Sequence, residues 1–125
     1  MRRYCALLLL TLLLLTGCGA AAQEDDPLAI REFVIGSSAA TIETETHGLA
    51  RQYIIHIALP IETDFQRCAV NLVLAEGASL SGDSPCLVTE LAGRPVIDLT
   101  CDQRTLIVEN GGRTRVYSLV VDLAP

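Results

Sequence analysis

Thr105-Leu106-Ile107-Val108-Glu109-Asn110-Gly111-Gly112-Arg113-Thr114-Arg115-Val116-Tyr117-Ser118-Leu119-Val120-Val121-Asp122-Leu123 is the stretch on which the fold turns. Leu106 and Val108 alternate with Thr105 and Ile107, the two-residue period of a strand with one face buried. Asn110-Gly111-Gly112 supplies residues that tolerate positive φ, as a tight hairpin turn requires. Tyr117, Leu119, Val121 and Leu123 then form a returning inward row against Ser118 and Asp122. The stretch predicts two antiparallel strands packed through one apolar face.

The same period extends backward to Leu28. Phe33 and Ile35 share one face, as do Ala40 and Ile42, with Thr41 and Glu43 opposite. Glu45 to Arg51 reads as a loop around Gly48. Tyr53, Ile55, Ile57 and Leu59 line one face of a strong strand, which Pro60 ends by withholding a ladder donor. Val70, Leu72 and Leu74 make the next inward row, with Asn71 outward. Glu76-Gly77-Ala78 and Ser81-Gly82-Asp83-Ser84-Pro85 are turns or loop. Leu87–Leu91 and Pro95–Thr100 read as two short strands joined at Ala92-Gly93-Arg94. No stretch carries a helical period. About seven or eight short strands with turn signals between them predict an all-β, two-sheet antiparallel sandwich. Its expected core holds Ile55, Ile57, Leu72, Tyr117, Leu119 and Val121.

The beginning of the chain follows different rules. Arg2 and Arg3 precede an apolar run from Ala6 to Leu15, broken only by Thr11, and small residues follow. That is the layout of a secretory signal. The run falls short of the ~20 apolar residues that a membrane-spanning helix needs. Leu15-Thr16-Gly17-Cys18 resembles the lipobox of bacterial lipoproteins. The resemblance implies cleavage before Cys18, whose thiol takes a diacylglyceryl group while small Thr16 and Gly17 admit the peptidase. Several acyl chains would then hold the protein to a membrane, each buried methylene being worth about 0.8 kcal/mol. The alternative is an ordinary signal cut within Gly19–Ala22. The expected organisation is a signal peptide at 1–17, the lipidated Cys18 with a flexible acidic tether at 18–27, and a β-sandwich at 28–125. Gly19 is not an aspartate, and among Gram-negative lipoproteins this favours the outer membrane over inner-membrane retention. The run Gln23-Glu24-Asp25-Asp26 is a solvated linker or, by resemblance, a surface-export signal.

Charge and composition narrow the function classes. The 125-residue chain holds nine basic and fifteen acidic residues. Loss of Arg2 and Arg3 with the signal leaves seven against fifteen, a balance of −8. Nucleic-acid binding rests on neutralising phosphates and is excluded by that balance. Docking on anionic lipid through charge is excluded too, leaving the lipid on Cys18 to do the tethering. Every basic residue is arginine, which a GC-rich genome accounts for. Phe33, Tyr53, Phe65 and Tyr117 are the only aromatics of the mature chain, and there is no tryptophan.

Several segments stand out in order along the chain: Phe33-Val34-Ile35-Gly36, Ala40-Thr41-Ile42, Ile55-His56-Ile57-Ala58-Leu59-Pro60, Thr63-Asp64-Phe65, Glu76-Gly77-Ala78-Ser79-Leu80-Ser81, Thr105–Gly111 and Val116–Val121. Together they resemble the immunoglobulin-like (Ig-like) domains of unknown function found in bacterial surface lipoproteins. Glu62 stands where that family usually has glycine, the His47–Gln52 loop is longer, and the cysteines are additional. The resemblance implies a β-sandwich at the cell surface and carries no catalytic residues.

The chemistry-bearing residues are sparse. His47 and His56 are the only histidines, and a zinc site needs about four ligands. Asp98, Asp102, Glu109 and Asp122 are scattered carboxylates expected on a solvated surface. Asp64 and Asp83 lie in turns, where aspartate stabilises local backbone geometry, and no spaced run of oxygen ligands accompanies them. No Gly-x-Ser-x-Gly elbow and no Gly-rich phosphate loop is present. The expectation is therefore a non-catalytic domain with no cofactor and no metal. It would be an exported, lipid-anchored interaction domain whose partner is an envelope or extracellular protein, with a glycan possible and ranked lower. The alternative is a periplasmic inhibitor of a cationic hydrolase such as lysozyme, which opposite charge would steer.

With Cys5 lost in the signal segment, Cys68, Cys86 and Cys101 remain in the mature chain besides the anchor, enough for one bridge and one leftover thiol. Export favours oxidation. A two-residue turn at Gly93-Arg94 would set Ala92 against Pro95, Leu91 against Val96, Thr89 against Asp98 and Cys86 against Cys101, within disulfide reach. Cys68–Cys101 at one end of the sandwich is the rival pairing, and no bridge is the third possibility.

Overall fold

The turn at Asn110-Gly111-Gly112 closes as the sequence requires. Asn110 pairs with Arg113 across a two-residue loop in which Gly111 has φ 58° and Gly112 φ 82°, the backbone of a type I′ hairpin. The computed structural model describes residues 26–91 and 93–124. It contains ten strands: β1 (Ile30–Ile35), β2 (Ser38–Ala39), β3 (Thr41–His47), β4 (Ala50–Pro60), β5 (Cys68–Leu74), β6 (Ser79–Leu80), β7 (Leu87–Leu91), β8 (Arg94–Ile97), β9 (Thr105–Asn110) and β10 (Arg113–Ala124). No helix occurs among the described residues.

The strands form two five-stranded sheets, in the orders β2-β1-β5-β8-β7 and β3-β4-β10-β9-β6. Their facing sides build one core, the arrangement of a β-sandwich. Phe33 and Ile35 of β1, Val70 of β5 and Ile97 of β8 enter it from the first sheet. Ile55, Ile57 and Leu59 of β4, Leu106 and Val108 of β9, and Tyr117 and Leu119 of β10 enter it from the second. The inward rows read from alternation are thus the buried ones, with Tyr53, Leu72, Leu74 and Val121 half-buried against them.

Four features depart from the sequence expectation. First, β4 and β10 run parallel, with Tyr117 beside Tyr53, Leu119 beside Ile55, Val121 beside Ile57 and Leu123 beside Leu59. This register lines up the inward rows of the two longest strands. A parallel pair needs a long connection, which the intervening strands supply. Second, Leu123 is 60% exposed. β9 flanks β10 only as far as Ser118, so the end of β10 lacks a neighbour on that side. Third, Glu45–Arg51 is not a loop, because β3 and β4 pair from Thr41–His56 to His47–Ala50. Fourth, β2 and β3 are one edge segment that leaves the first sheet for the second at Ala40, whose amide donates to the Phe33 carbonyl at 2.8 Å.

Candidate functional site

Leu15, Thr16, Gly17 and Cys18, the residues of the expected anchor, lie outside the described residues. The residues that lead into β1, Asp26 to Leu28, lie within them and are tightly fastened. Asp26 Oδ2 accepts from Arg115 Nη1 at 2.8 Å, and Asp26 Oδ1 accepts from the Leu28 amide at 3.2 Å. The Arg115 guanidinium lies 4.0 Å over the Tyr53 ring and reaches Tyr117 Oη at 3.3 Å. Tyr117 Oη in turn donates to the Leu28 carbonyl at 2.7 Å, and Asn110 Nδ2 donates to the Pro27 carbonyl at 2.9 Å. Burial works against the Arg115 charge, but its hydrogen bonds to Asp26 and Tyr117 win, holding its pKa above the ordinary arginine value. The same Arg115 hydrogen bond holds the Asp26 carboxyl below the usual range. Arg115 carried no sequence signal, since its role depends on a partner 89 positions away.

The cysteines do not form the expected disulfide. Cys68, Cys86 and Cys101 are free thiols. The β7–β8 register explains why Cys86 and Cys101 miss each other across the hairpin. Leu91 pairs with Arg94, Glu90 with Pro95 and Thr89 with Val96, so the turn sits one residue earlier than Gly93-Arg94. An irregularity between Leu87 and Thr89 shifts the register again. Cys86 therefore faces Asp98, whose amide donates to its carbonyl at 2.8 Å, and Cys101 falls in the following loop. Cys86 Sγ donates to the Thr105 carbonyl at 3.1 Å and Cys101 Sγ to the Gln103 carbonyl at 3.1 Å. The rival Cys68 is opposite Ile97 and donates to the Asp64 carbonyl at 3.2 Å. Burial pushes the Cys86 thiol up to about 12, with nearby Cys101 adding to the rise, and burial raises Cys68 as well.

The carboxylates divide by role. Asp98 accepts from the Thr100 amide at 2.8 Å and from Thr100 Oγ1 at 2.6 Å, which holds its pKa down. Asp64 Oδ1 accepts from the Gln66 amide at 3.2 Å, the local turn role read from sequence. Ser84 does comparable work inside: its hydroxyl donates to the Ser81 carbonyl at 2.8 Å and accepts from the Ile107 amide at 2.9 Å. A shallow groove of about 300 Å³ beside the β9–β10 turn is lined by Gly77, Ser79, Glu109 and Arg113 among others. No group of three or more His, Cys, Asp or Glu is placed to hold a metal ion among the described residues.

The outer face of the second sheet brings together what the sequence left scattered. Strand alternation puts Ile54 opposite Ser118, His56 opposite Val120 and Ile107 opposite Val116 on this face. Val116 and Val120 are 53% and 41% exposed, while Ile54 and Ile107 are half-buried. His56 Nε2 donates to Asp122 Oδ2 of β10, and His56 Nδ1 lies 3.9 Å from Glu43 of β3. The hydrogen bond to Asp122, aided by the charges of Asp122 and Glu43, raises the His56 pKa above 6.5. Glu45 of β3 and Glu109 of β9 alternate onto the same face, opposite Gln52 and Thr114. Arg51, Arg113 and Arg115 alternate onto the other. Compared with known proteins, the chain matches no protein-family model and no curated sequence.

Proposed function

We propose that the chain is a non-catalytic interaction domain of the bacterial envelope or cell surface, held to a membrane by lipid on Cys18, with a protein as its partner. The observation that carries this reading is the exposed apolar pair Val116 and Val120 on an otherwise open sheet face, outside the core. An apolar cluster rimmed by polar groups is the anatomy of a protein contact. The aromatics favour protein over glycan. Phe33 and Tyr117 are each 1% exposed, Tyr53 lies under the Arg115 guanidinium, and Phe65 packs on the core. Sugar rings stack on free aromatic faces, and these faces are taken.

Crosslinking in intact cells followed by affinity capture tests the reading. Reproducible capture of the same envelope protein is the expected result, and capture of background alone from correctly localised protein contradicts it. The second reading, inhibition of a cationic hydrolase, is favoured by the −8 charge of the mature chain. A lysozyme turnover assay decides that one, because unchanged turnover at excess domain removes it.

A further inference from the structure

We infer that the outer face of the second sheet is the docking surface for a cationic protein surface with an apolar centre. This rests on the interaction-domain reading and names its site and the chemistry of its partner. The centre is Ile54, Ile107, Val116 and Val120, drawn from three adjacent strands, β4, β9 and β10. Around it stand Glu43, Glu45, Glu109 and Asp122, contributed by β3, β9 and β10, and no arginine of the sheet alternates onto the face. His56, between Asp122 and Glu43, and His47, 3.3 Å from Glu45, share the face and offset part of this charge, so that four carboxylates against two histidines leave it net acidic. Carboxylates at the margin of an apolar patch set which partners approach and how fast, while the patch itself supplies the desolvated contact.

The net negative charge of the rim discriminates among occupants. A second copy of this chain, docking the same patch on itself, would bring like charges together. An anionic lipid surface is repelled for the same reason. A glycan finds no aromatic side chain on this face. A protein surface bearing arginine or lysine around leucine- or valine-like side chains satisfies both the rim and the centre.

The test uses the full-length chain in neutral detergent and a blocked, fluorescent peptide carrying arginines at both ends of a leucine–valine centre. Saturable, salt-sensitive binding is expected, with no binding of the counterpart in which glutamates replace the arginines. The double variant Val116→Ser/Val120→Ser is expected to bind about fivefold more weakly, and Glu43→Gln/Asp122→Asn to lose affinity along with its salt dependence. Val73→Ser/Leu91→Ser, which alters exposed residues of the first sheet, is expected to bind like wild type. Non-saturable binding, equal losses from the two serine variants, or equal binding of the acidic peptide overturns the assignment. If it falls while in-cell crosslinking still captures a partner, the surface is wrong and the interaction domain stands. If capture also fails, the wider reading falls with it.

Discussion

His56 faces two carboxylates brought from different strands, Asp122 of β10 and Glu43 of β3. Its raised pKa means the charged form is favoured in the folded state. The resulting stabilisation is complete below the unfolded value near 6.5 and is lost as pH rises through the higher folded value. An NMR titration should place the His56 midpoint above 6.5, and Asp122→Asn should bring it back toward that value. A midpoint indifferent to Asp122→Asn would show that the pair does not form. At the other end of the chain, Cys18→Ala is expected to abolish acyl labelling and membrane partitioning, and a variant that still takes label would refute the anchor. Some residue roles were readable because they are local, as with Asp64 and its turn. Others were not: Arg115 acts on Asp26, 89 positions away, and on Tyr53 of β4, and nothing near it in sequence announces them.

Among the elements, β4 and β10 supply five of the sixteen buried core residues among those described, Ile55, Ile57, Leu59, Tyr117 and Leu119, and their contribution is open to measurement. Ile57 is 1% exposed and Leu119 4%, so truncating either to alanine should cost about 2–5 kcal/mol in denaturant melts. A loss near that of an exposed position would reverse the face assignment. Gly112→Ala tests the hairpin differently. A Cβ there meets no atom within 4 Å, so the expected penalty of about 1–2 kcal/mol comes from the positive φ alone. A neutral result would mean that the turn relaxes to another type. Both strands were legible because large apolar residues recur at every second position on the buried face, Tyr53 to Leu59 and Tyr117 to Val121, while polar His56, Ser118 and Asp122 mark the other face. β3 was read only in its first half, at Ile42 with Thr41 and Glu43 opposite; from Glu45 to His47 this exposed edge strand carries no apolar residue to mark it. The β7–β8 register was missed for two physical reasons: the turn sits one residue earlier than glycine placement implied, and the strand carries an irregularity at Val88. Those two shifts, small in the chain, are what part Cys86 from Cys101.

At the scale of the molecule, alternation and turn chemistry carry the reading as far as two packed sheets, while strand order lies beyond them. Which strands neighbour each other depends on long-range packing, and so does the parallel seam that joins β4 to β10. The same packing assembles the acidic rim and apolar centre of the second sheet from strands that are remote in sequence, leaving a surface no local motif encodes. That surface is the centre of this account, and photo-crosslinking in living cells addresses it at single positions. A photoreactive residue at Val120 on the second sheet, compared with one at Val73 on the first, is the most direct measurement. The account predicts a discrete protein adduct from Val120, suppressed by Glu43→Gln/Asp122→Asn, and none from Val73. Adducts from Val73 alone, or equal adducts from both positions, would contradict it.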